Sequence, residues 1–437
     1  MFWHDFLGSL ADNMVEVNWM LVVTLFPVMV GTDDIVAMFG LTDTVWVVLS
    51  ILYYAARMGL SAFMPQFMVG RDAASASMPL KNAWYLTMLT MAPLVLLTAI
   101  FTEPIMAWLG APSELLPLYC NYFRVGLVSI YLACPAGVLI PAYLRATFQN
   151  KTAMLLDHAV TWSMAAGCWF TVHVLHEGAV VMMLVALLAH SIPTVWFLLT
   201  RPIPGFFARG LEWDSATLRH MFDTAKWELV RRFLPRSAGV FMTASLMALS
   251  PQLVAAKYII DQLASFLNGC LDSASFTALS TTGHNLGLGI KGNAVFSDHG
   301  YIARTGQWAA AAIGFGFWLT SSLWAPLFAE SQVVIDAVSD PVVWLCVTAA
   351  NVIRVRYYVL LSITRAAHRE LNGFAMTSFA VIASIVTPLA TVVFLNWMQM
   401  GLLAVYLTGA VVPVLQISVL EWKLRRHNIT IREEVAT

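Results

Sequence analysis

Apolar stretches of twenty or more residues recur along the whole chain and are separated by short polar loops. Because about twenty apolar residues span a bilayer as a helix, this pattern predicts twelve membrane-spanning helices. Their approximate ranges are 6–30, 42–67, 81–101, 117–147, 154–175, 178–200, 227–249, 253–286, 305–328, 341–366, 373–395 and 401–421. Charged residues make up only 11%, against about a quarter of a soluble domain. We therefore predict an all-α polytopic membrane protein.

Lysine and arginine are distributed so that they predict the orientation of these helices. Every second loop lacks both residues, whereas the opposite loops and the C-terminal tail are basic. By the positive-inside rule both termini are cytoplasmic, and we expect the protein in a plasma membrane, the inner membrane of a bacterium. The N-terminus lacks the basic region and cleavage site of a signal peptide.

The sequence contains none of the residue spacings that indicate an enzyme or a metal site. Its five cysteines lie singly within apolar stretches, which suits buried thiols rather than disulfides or metal ligands. We find no zinc spacing, phosphate-binding loop or nucleophile triad. We therefore expect no catalytic residues, no bound metal, no cofactor and no nucleic-acid partner.

Two pairs of similar stretches indicate an internal repeat. MPQFMVGRDAAS is echoed by STTGHNLGLGIKGN at a shift of about 217 residues, and IPAYLRATFQNKTAM by VLLSITRAAHRELNG at a shift of about 220. Six helices per repeat make the two halves parallel. We predict an N-terminal six-helix bundle (1–200), a cytoplasmic linker with an amphipathic helix (201–226), a C-terminal six-helix bundle (227–421) and a tail (422–437).

Three of these stretches carry a resemblance to a known family. WLGAPSELLPLYCNYFRV, TTGHNLGLG and YLRATFQNKTAM resemble turns of the multidrug and toxic compound extrusion (MATE) transporters. The resemblance implies two pseudo-symmetric bundles forming a V, alternating access, and export driven by Na⁺ or H⁺ as the coupling ion. The chain departs from the family at Pro27 and Arg236, which stand where acidic residues of the first and seventh helices are usual.

Polar residues follow one face of the eighth predicted helix. The stripe has steps of three and four residues, which place its members on one side of a helix, and consists of Lys257, Asp261, Ser265, Asn268, Asp272 and Ser275. One interpretation is a cavity-lining or ion-binding stripe, in which Asp272 is the better coupling candidate and Asp261 the second, since a buried carboxylate can bind and release a proton. The alternative is that Lys257 pairs with Asp261 and the stripe packs within its bundle.

Further polar residues in the spans are candidates for the substrate cavity. In the tenth helix, Arg354 and Arg356 point to nearly opposite sides, so at most one faces a cavity. The alternative is internal pairing with Asp261 or Asp272. Aromatic and basic residues of the second helix either line the cleft or pack. The full set of cavity candidates is Asn268, Arg354, Arg356, Asn351, Tyr53 and Arg57.

Together these features predict an ion-coupled secondary transporter, not an enzyme. We expect it to export a small amphiphilic organic molecule such as a drug, a natural product or a siderophore-like metabolite. The many arginines favour a substrate with an anionic or chelating group. The alternatives are a flippase for lipid-linked precursors of the same superfamily and a membrane-embedded enzyme. The expected partners are the substrate and the lipid bilayer, and we expect a monomer.

The repeat and the resemblance together predict a cytoplasmic gate, since the resemblance implies that helices one and seven face each other across the cleft. Asp12 and Glu16 lie four residues apart in the first helix, and a shift of about 220 residues leads to Arg232 and Arg236. We predict that these acids meet these arginines when the cytoplasmic side closes. Two pairs desolvated by closure could bias the two states by a few kcal/mol. The alternative is that all four residues are solvated or pair locally.

Charge exchange tests this gate. Asp12→Arg and Arg232→Asp should each impair transport into proteoliposomes, because each change places like charges across the closed gate. The double variant should recover part of the activity, since the pair is restored in reverse. Single variants with wild-type activity, or a double variant without recovery, would contradict the gate.

Overall fold

The computed structural model describes residues 33–67, 77–147, 149–201, 203, 206, 214–287, 290, 292–367 and 369–427. Within these ranges the chain folds into helices and no β-strand occurs. Helices cover all of the predicted spans from the second to the twelfth. The first predicted span, 6–30, lies outside the described residues.

Two compact units divide the described chain at residues 248 and 249. The helices of the N-terminal unit are α1 (Asp33–Phe67), α2 (Ser77–Ile100), α3 (Thr102–Trp108), α4 (Leu116–Leu132), α5 (Cys134–Ala146), α6 (Asn150–His173), α7 (Ala179–Thr200) and α8 (Ser215–Leu249). Those of the C-terminal unit are α9 (Pro251–Gly287), a 3₁₀ turn (Gly292–Phe296), α10 (His299–Leu319), α11 (Ser321–Phe328), α12 (Gln332–Ser339), α13 (Pro341–Ala367), α14 (Arg369–Ala390), a π-helical segment (Thr391–Trp397) and α15 (Leu402–Arg426).

Seven described helices are long and apolar enough to cross a membrane, and the bent pair α10–α11 makes an eighth if it is one span. The two parts of that pair meet at 71°. Three further predicted spans fold as the helices α6, α8 and α9, of 24, 35 and 37 residues. These three are long enough but are less apolar than the seven. The chain is therefore a multi-pass membrane protein.

A break between α4 and α5 interrupts the fourth predicted span. The break falls at Ala133, and Pro135 occupies the second position of α5. A proline is tolerated there because the first N–H groups of a helix have no intrahelical acceptor. A second proline of this span, Pro141, lies inside α5.

The predicted linker helix and the seventh predicted span form one continuous helix. α8 runs for 35 residues through Pro235 without a break, so the amphipathic turn after Asp214 is its N-terminal end. α8 lies almost entirely in the N-terminal unit, and the boundaries that we predict for the bundles and the linker stay a prediction. The superposition of two six-helix bundles stays a prediction.

Aromatic rings fill the core of the N-terminal unit between α1 and α4. Trp46 stacks on Phe123 with ring centroids 6.0 Å apart and tilts against Tyr122 at 5.2 Å. Phe39 meets Tyr122 edge to face at 4.7 Å. The indole of Trp46 occupies the space that a side chain at Gly126 would need, so this glycine allows α1 and α4 to approach.

α13 is the central helix of the C-terminal unit, since α9, α10, α14 and α15 all pack against it. Its buried residues Tyr357, Leu360 and Leu361 share a core cluster with Met376 of α14 and Leu420 of α15. The polar positions of α9, α13 and α15 described below are therefore held on neighbouring helices.

A glycine permits the tight crossing of α10 with α9 and α13. A Cβ atom at Gly306 would lie 2.8 Å from Cγ1 of Val355 and 3.0 Å from Cβ of Ala274, whereas nothing lies within 4 Å of the same atom at Gly316. Gly306→Ala should therefore lower the free energy of unfolding by about 1–3 kcal/mol through overpacking. Gly316→Ala, on the same helix, should leave it unchanged or raise it by up to about 1 kcal/mol through helix propensity.

Thermal melting of the purified protein in detergent measures both changes. The two variants carry the same chemical substitution on the same helix, so the comparison isolates packing. Equal melting temperatures for the two variants would contradict the close three-helix crossing.

Candidate functional site

The strongest polar contact in the C-terminal unit joins α9 to α15. Nζ of Lys257 lies 2.6 Å from Oδ2 of Asp261, one turn further along α9. The hydroxyl of Tyr406 in α15 donates to Oδ1 of Asp261 at 3.1 Å and also lies 3.2 Å from the backbone oxygen of Lys257. Asp261 thus binds a cation and a hydroxyl, although its side chain is still 41% exposed.

The remaining stripe residues of α9 divide into buried and accessible positions. Ser265 is buried and donates to the backbone oxygen of Gln262. Ser275 is buried against α13, where its hydroxyl lies 2.9 Å from that of Ser362. Asn268 is exposed and Asp272 is partly exposed. The serines therefore pack and Lys257 pairs with Asp261, as the second interpretation predicts for these residues. The ion-binding interpretation, which concerns Asn268 and Asp272, stays a prediction.

Arg356 of α13 pairs within its own unit. Its Nη2 and Nε atoms lie 2.8 and 3.0 Å from Oε1 of Glu421 in α15. Internal pairing is thus the outcome for this arginine, with Glu421 in place of the partners that we predict, Asp261 or Asp272. A glutamate near the end of an apolar segment gives little signal in the sequence, because nothing there shows which helix it faces.

Arg354, two residues before Arg356 on α13, lies near a different turn of α15. Its guanidinium approaches the α15 backbone at Gly409, where a Cβ atom would lie 3.7 Å from Nη2. Arg354 is partly buried. Gly409 is three residues beyond Tyr406, so Arg354 reaches the turn of α15 that follows the Asp261 contact. Arg354 and Arg356 thus both reach α15, at positions twelve residues apart, and which of them faces a cavity stays a prediction.

Asn351 is a buried amide one turn before Arg354. Its Nδ2 donates to the backbone oxygen of Val347 at 2.9 Å, and the residue is only 3% exposed. Its Oδ1 atom accepts no hydrogen bond from any residue that the structure describes. A buried carbonyl oxygen without a donor costs about 1–3 kcal/mol, so this position offers an acceptor to a ligand proton or cation.

The candidate residues of the N-terminal unit lie where α1 crosses α8. A Cβ atom at Gly59 of α1 would approach the backbone oxygen of Met221 to 2.8 Å, which shows how closely the helices pack. Arg232 of α8 lies over the ring of Tyr54 at 5.2 Å. This contact brings the basic turn of α8 to the turn of α1 that carries the partly exposed Arg57.

Two further predictions for this unit concern Tyr53 as a cavity residue and the cytoplasmic gate. Tyr53 is fully buried and packs with Met91 and Ile130, which favours a packing role over lining a cleft. Of the predicted gate, Asp12 and Glu16 lie outside the described residues, and Arg236 is exposed. The gate therefore stays a prediction.

The contact of Lys257 with Asp261 leads to a stability prediction. Lys257→Met leaves the Asp261 carboxylate without its cation and should lower the free energy of unfolding by about 1–3 kcal/mol. Asp261→Asn in the same chain should restore part of that loss, because the amide needs no cation and still accepts from Tyr406. Thermal melting of the single and double variants measures this coupling, with Arg124→Met, at an exposed arginine of α4, as the control. A double variant that melts below Lys257→Met would contradict the pairing.

Comparisons with known proteins place this geometry in a known fold. No family model and no curated protein matches the sequence. Solved structures do match. An inward-facing conformation of a multidrug resistance MATE family transporter of the MOP superfamily has a TM-score of 0.76 at 15% identity, covering 97% of this chain and 99% of that one. An outward-facing conformation of such a transporter has a TM-score of 0.69 at 12% identity, covering 98% and 96%.

A third solved structure differs in the description of its pocket. It is a MOP superfamily transporter from Pyrococcus furiosus, for which a reverse polarity of the binding pocket is described, with a TM-score of 0.72 at 14% identity, covering 98% of this chain and 96% of that one. All three likenesses extend over nearly the whole length of both chains. The chain therefore has the fold of the MATE transporters of the MOP superfamily, an all-α fold with twelve membrane-spanning helices.

Proposed function

We propose that this protein is an ion-coupled secondary transporter that exports a small amphiphilic organic molecule by alternating access. The observation that carries the proposal is the full-length likeness to MATE transporters solved in inward-facing and outward-facing conformations. A fold that supports both conformations in those proteins suits a carrier that opens its site to one side of the membrane at a time. We place it as a monomer in a bacterial plasma membrane with both termini in the cytoplasm.

Coupling is proposed to run through the carboxylates of α9. Asp261 already binds Lys257 and Tyr406, so a proton or Na⁺ must compete with both partners there. Asp272 lies eleven residues further along the same helix, roughly 16 Å away at 1.5 Å per residue, and is partly exposed. Ionisable residues within membrane spans are rare and usually mark an ion or substrate pathway. This favours Asp272 as the main coupling residue, with H⁺ or Na⁺ as the ion.

The substrate class is proposed from the basic residues. Arg57, Arg232 and Arg354 are all partly exposed, and guanidinium groups bind carboxylates and phosphates in a bidentate manner. A transporter of this fold from Pyrococcus furiosus is described with a binding pocket of reverse polarity. Both points support a substrate with an anionic or chelating group.

Transport assays in proteoliposomes test the proposed function. Anionic, zwitterionic and cationic amphiphiles would be offered under an imposed H⁺ gradient and, separately, an imposed Na⁺ gradient. We expect uphill movement of an anionic or chelating compound with one of the two ions. If the protein instead translocates only a lipid-linked precursor, independently of either gradient, the flippase alternative replaces the proposal.

A single substitution tests the coupling residue. Asp272→Asn should abolish gradient-driven uphill transport while leaving counterflow exchange, which needs no ion gradient, within about twofold of wild type. Asp261→Asn should have a smaller effect, because Lys257 already neutralises that carboxylate. Asp298→Asn, at an exposed position before α10, is the matched control. Uphill transport by Asp272→Asn at the wild-type rate and expression level would refute this assignment.

A further inference from the structure

One carboxylate near the end of α15 holds two arginines from different helices. Oε1 of Glu421 binds Arg356 of α13 through two nitrogens at 2.8 and 3.0 Å. Oε2 of the same residue lies 3.8 Å from Nη2 of Arg425. The side chains of Arg356 and Arg425 remain 46% and 75% exposed. Two guanidinium groups thus share a single carboxylate.

The surrounding turn of α15 adds further positive charge and an interfacial aromatic ring. Arg426 lies over the ring of Trp422 at 4.1 Å, and Lys423 lies over Phe374 of α14 at 5.1 Å. The cluster therefore contains four cations and one carboxylate. Trp422 is 50% exposed, as is usual for tryptophans at the headgroup level of a membrane.

The depth of the cluster agrees with a position at the membrane surface. Glu421 lies nineteen residues beyond Leu402, the first residue of α15, which is about 28 Å at 1.5 Å per residue. The hydrocarbon core of a bilayer is about 30 Å thick. The charges of Glu421 and its two arginines thus fall where the apolar region ends, on the side that the basic loops predict to be cytoplasmic.

An exposed apolar strip on α15 leads to this cluster. Val411, Val414 and Leu415 are all partly or largely exposed, and their spacing places them on one face of the helix. Trp422 continues the same face two turns beyond Leu415. The strip gives an acyl chain an apolar path that ends beside the two arginines, which a free phosphate ion would not use.

We propose that Arg356 and Arg425 bind the phosphate of an anionic phospholipid whose acyl chain lies along Val411, Val414 and Leu415. Glu421 positions the two guanidinium groups, and their excess positive charge attracts the headgroup. Positively charged clusters beside a membrane-spanning helix recognise anionic lipids in this way. The site is distinct from the proposed transport residues of α9 and does not depend on the proposed function.

Native mass spectrometry of the full-length protein in detergent tests the site. The protein would be titrated with phosphatidylglycerol and, separately, with phosphatidylcholine of the same chain length. We expect the first bound phosphatidylglycerol to have at least tenfold higher affinity than phosphatidylcholine. Inorganic phosphate at the same concentration should not displace it, because the apolar strip contributes to lipid binding.

Three variants decide between this site and general attraction by the basic surface. Arg356→Gln combined with Arg425→Gln should weaken the first phosphatidylglycerol at least tenfold. Arg425→Gln alone, at a largely exposed side chain that folding does not require, should weaken it at least threefold. Arg124→Gln removes an exposed arginine in the other unit and should leave the affinity unchanged. Wild-type affinity in the Arg425 variant, or an equal loss in the Arg124 control, would overturn the proposal.

Discussion

The structure depends on one constraint: an ionisable group in a hydrocarbon layer must find a partner or water. In the C-terminal unit this constraint is met by contacts between helices. Asp261 binds Lys257 on its own helix and Tyr406 on α15. Where the apolar region ends, Arg356 of α13 binds Glu421 of α15. Because the hydrophobic effect does not drive apolar helices together inside lipid, such polar contacts fix which helices are neighbours and at what level they meet.

The polar residues of α9 and α13 differ in burial and in hydrogen bonding. The serines of the α9 stripe are buried and hydrogen-bonded, so their polar groups serve packing. Asn268 and Asp272 share that helix but stay accessible, and Asn351 has a buried oxygen that no described residue satisfies. These three residues and Arg354, which we propose for transport, all lie on α9 and α13.

Much of the fold follows from the sequence, because hydropathy, proline and charge act locally along the chain. The helices at the second to twelfth predicted spans are of this kind. The partners of the charged residues could not be predicted. Glu421 lies 65 residues from Arg356, and Tyr406 lies 145 residues from Asp261. Helical periodicity shows which face of a helix carries a side chain, but not which helix packs against that face.

Cysteine accessibility tests the central claim, that the polar face of α9 meets water inside the membrane. In a chain whose five native cysteines are replaced, Asn268→Cys should react with a membrane-impermeant maleimide, because its thiol can ionise in water. Ile385→Cys, on an exposed apolar face of α14, and Leu267→Cys, at a buried position of α9, should stay unlabelled. Labelling of Asn268→Cys no faster than of these two controls would contradict the account.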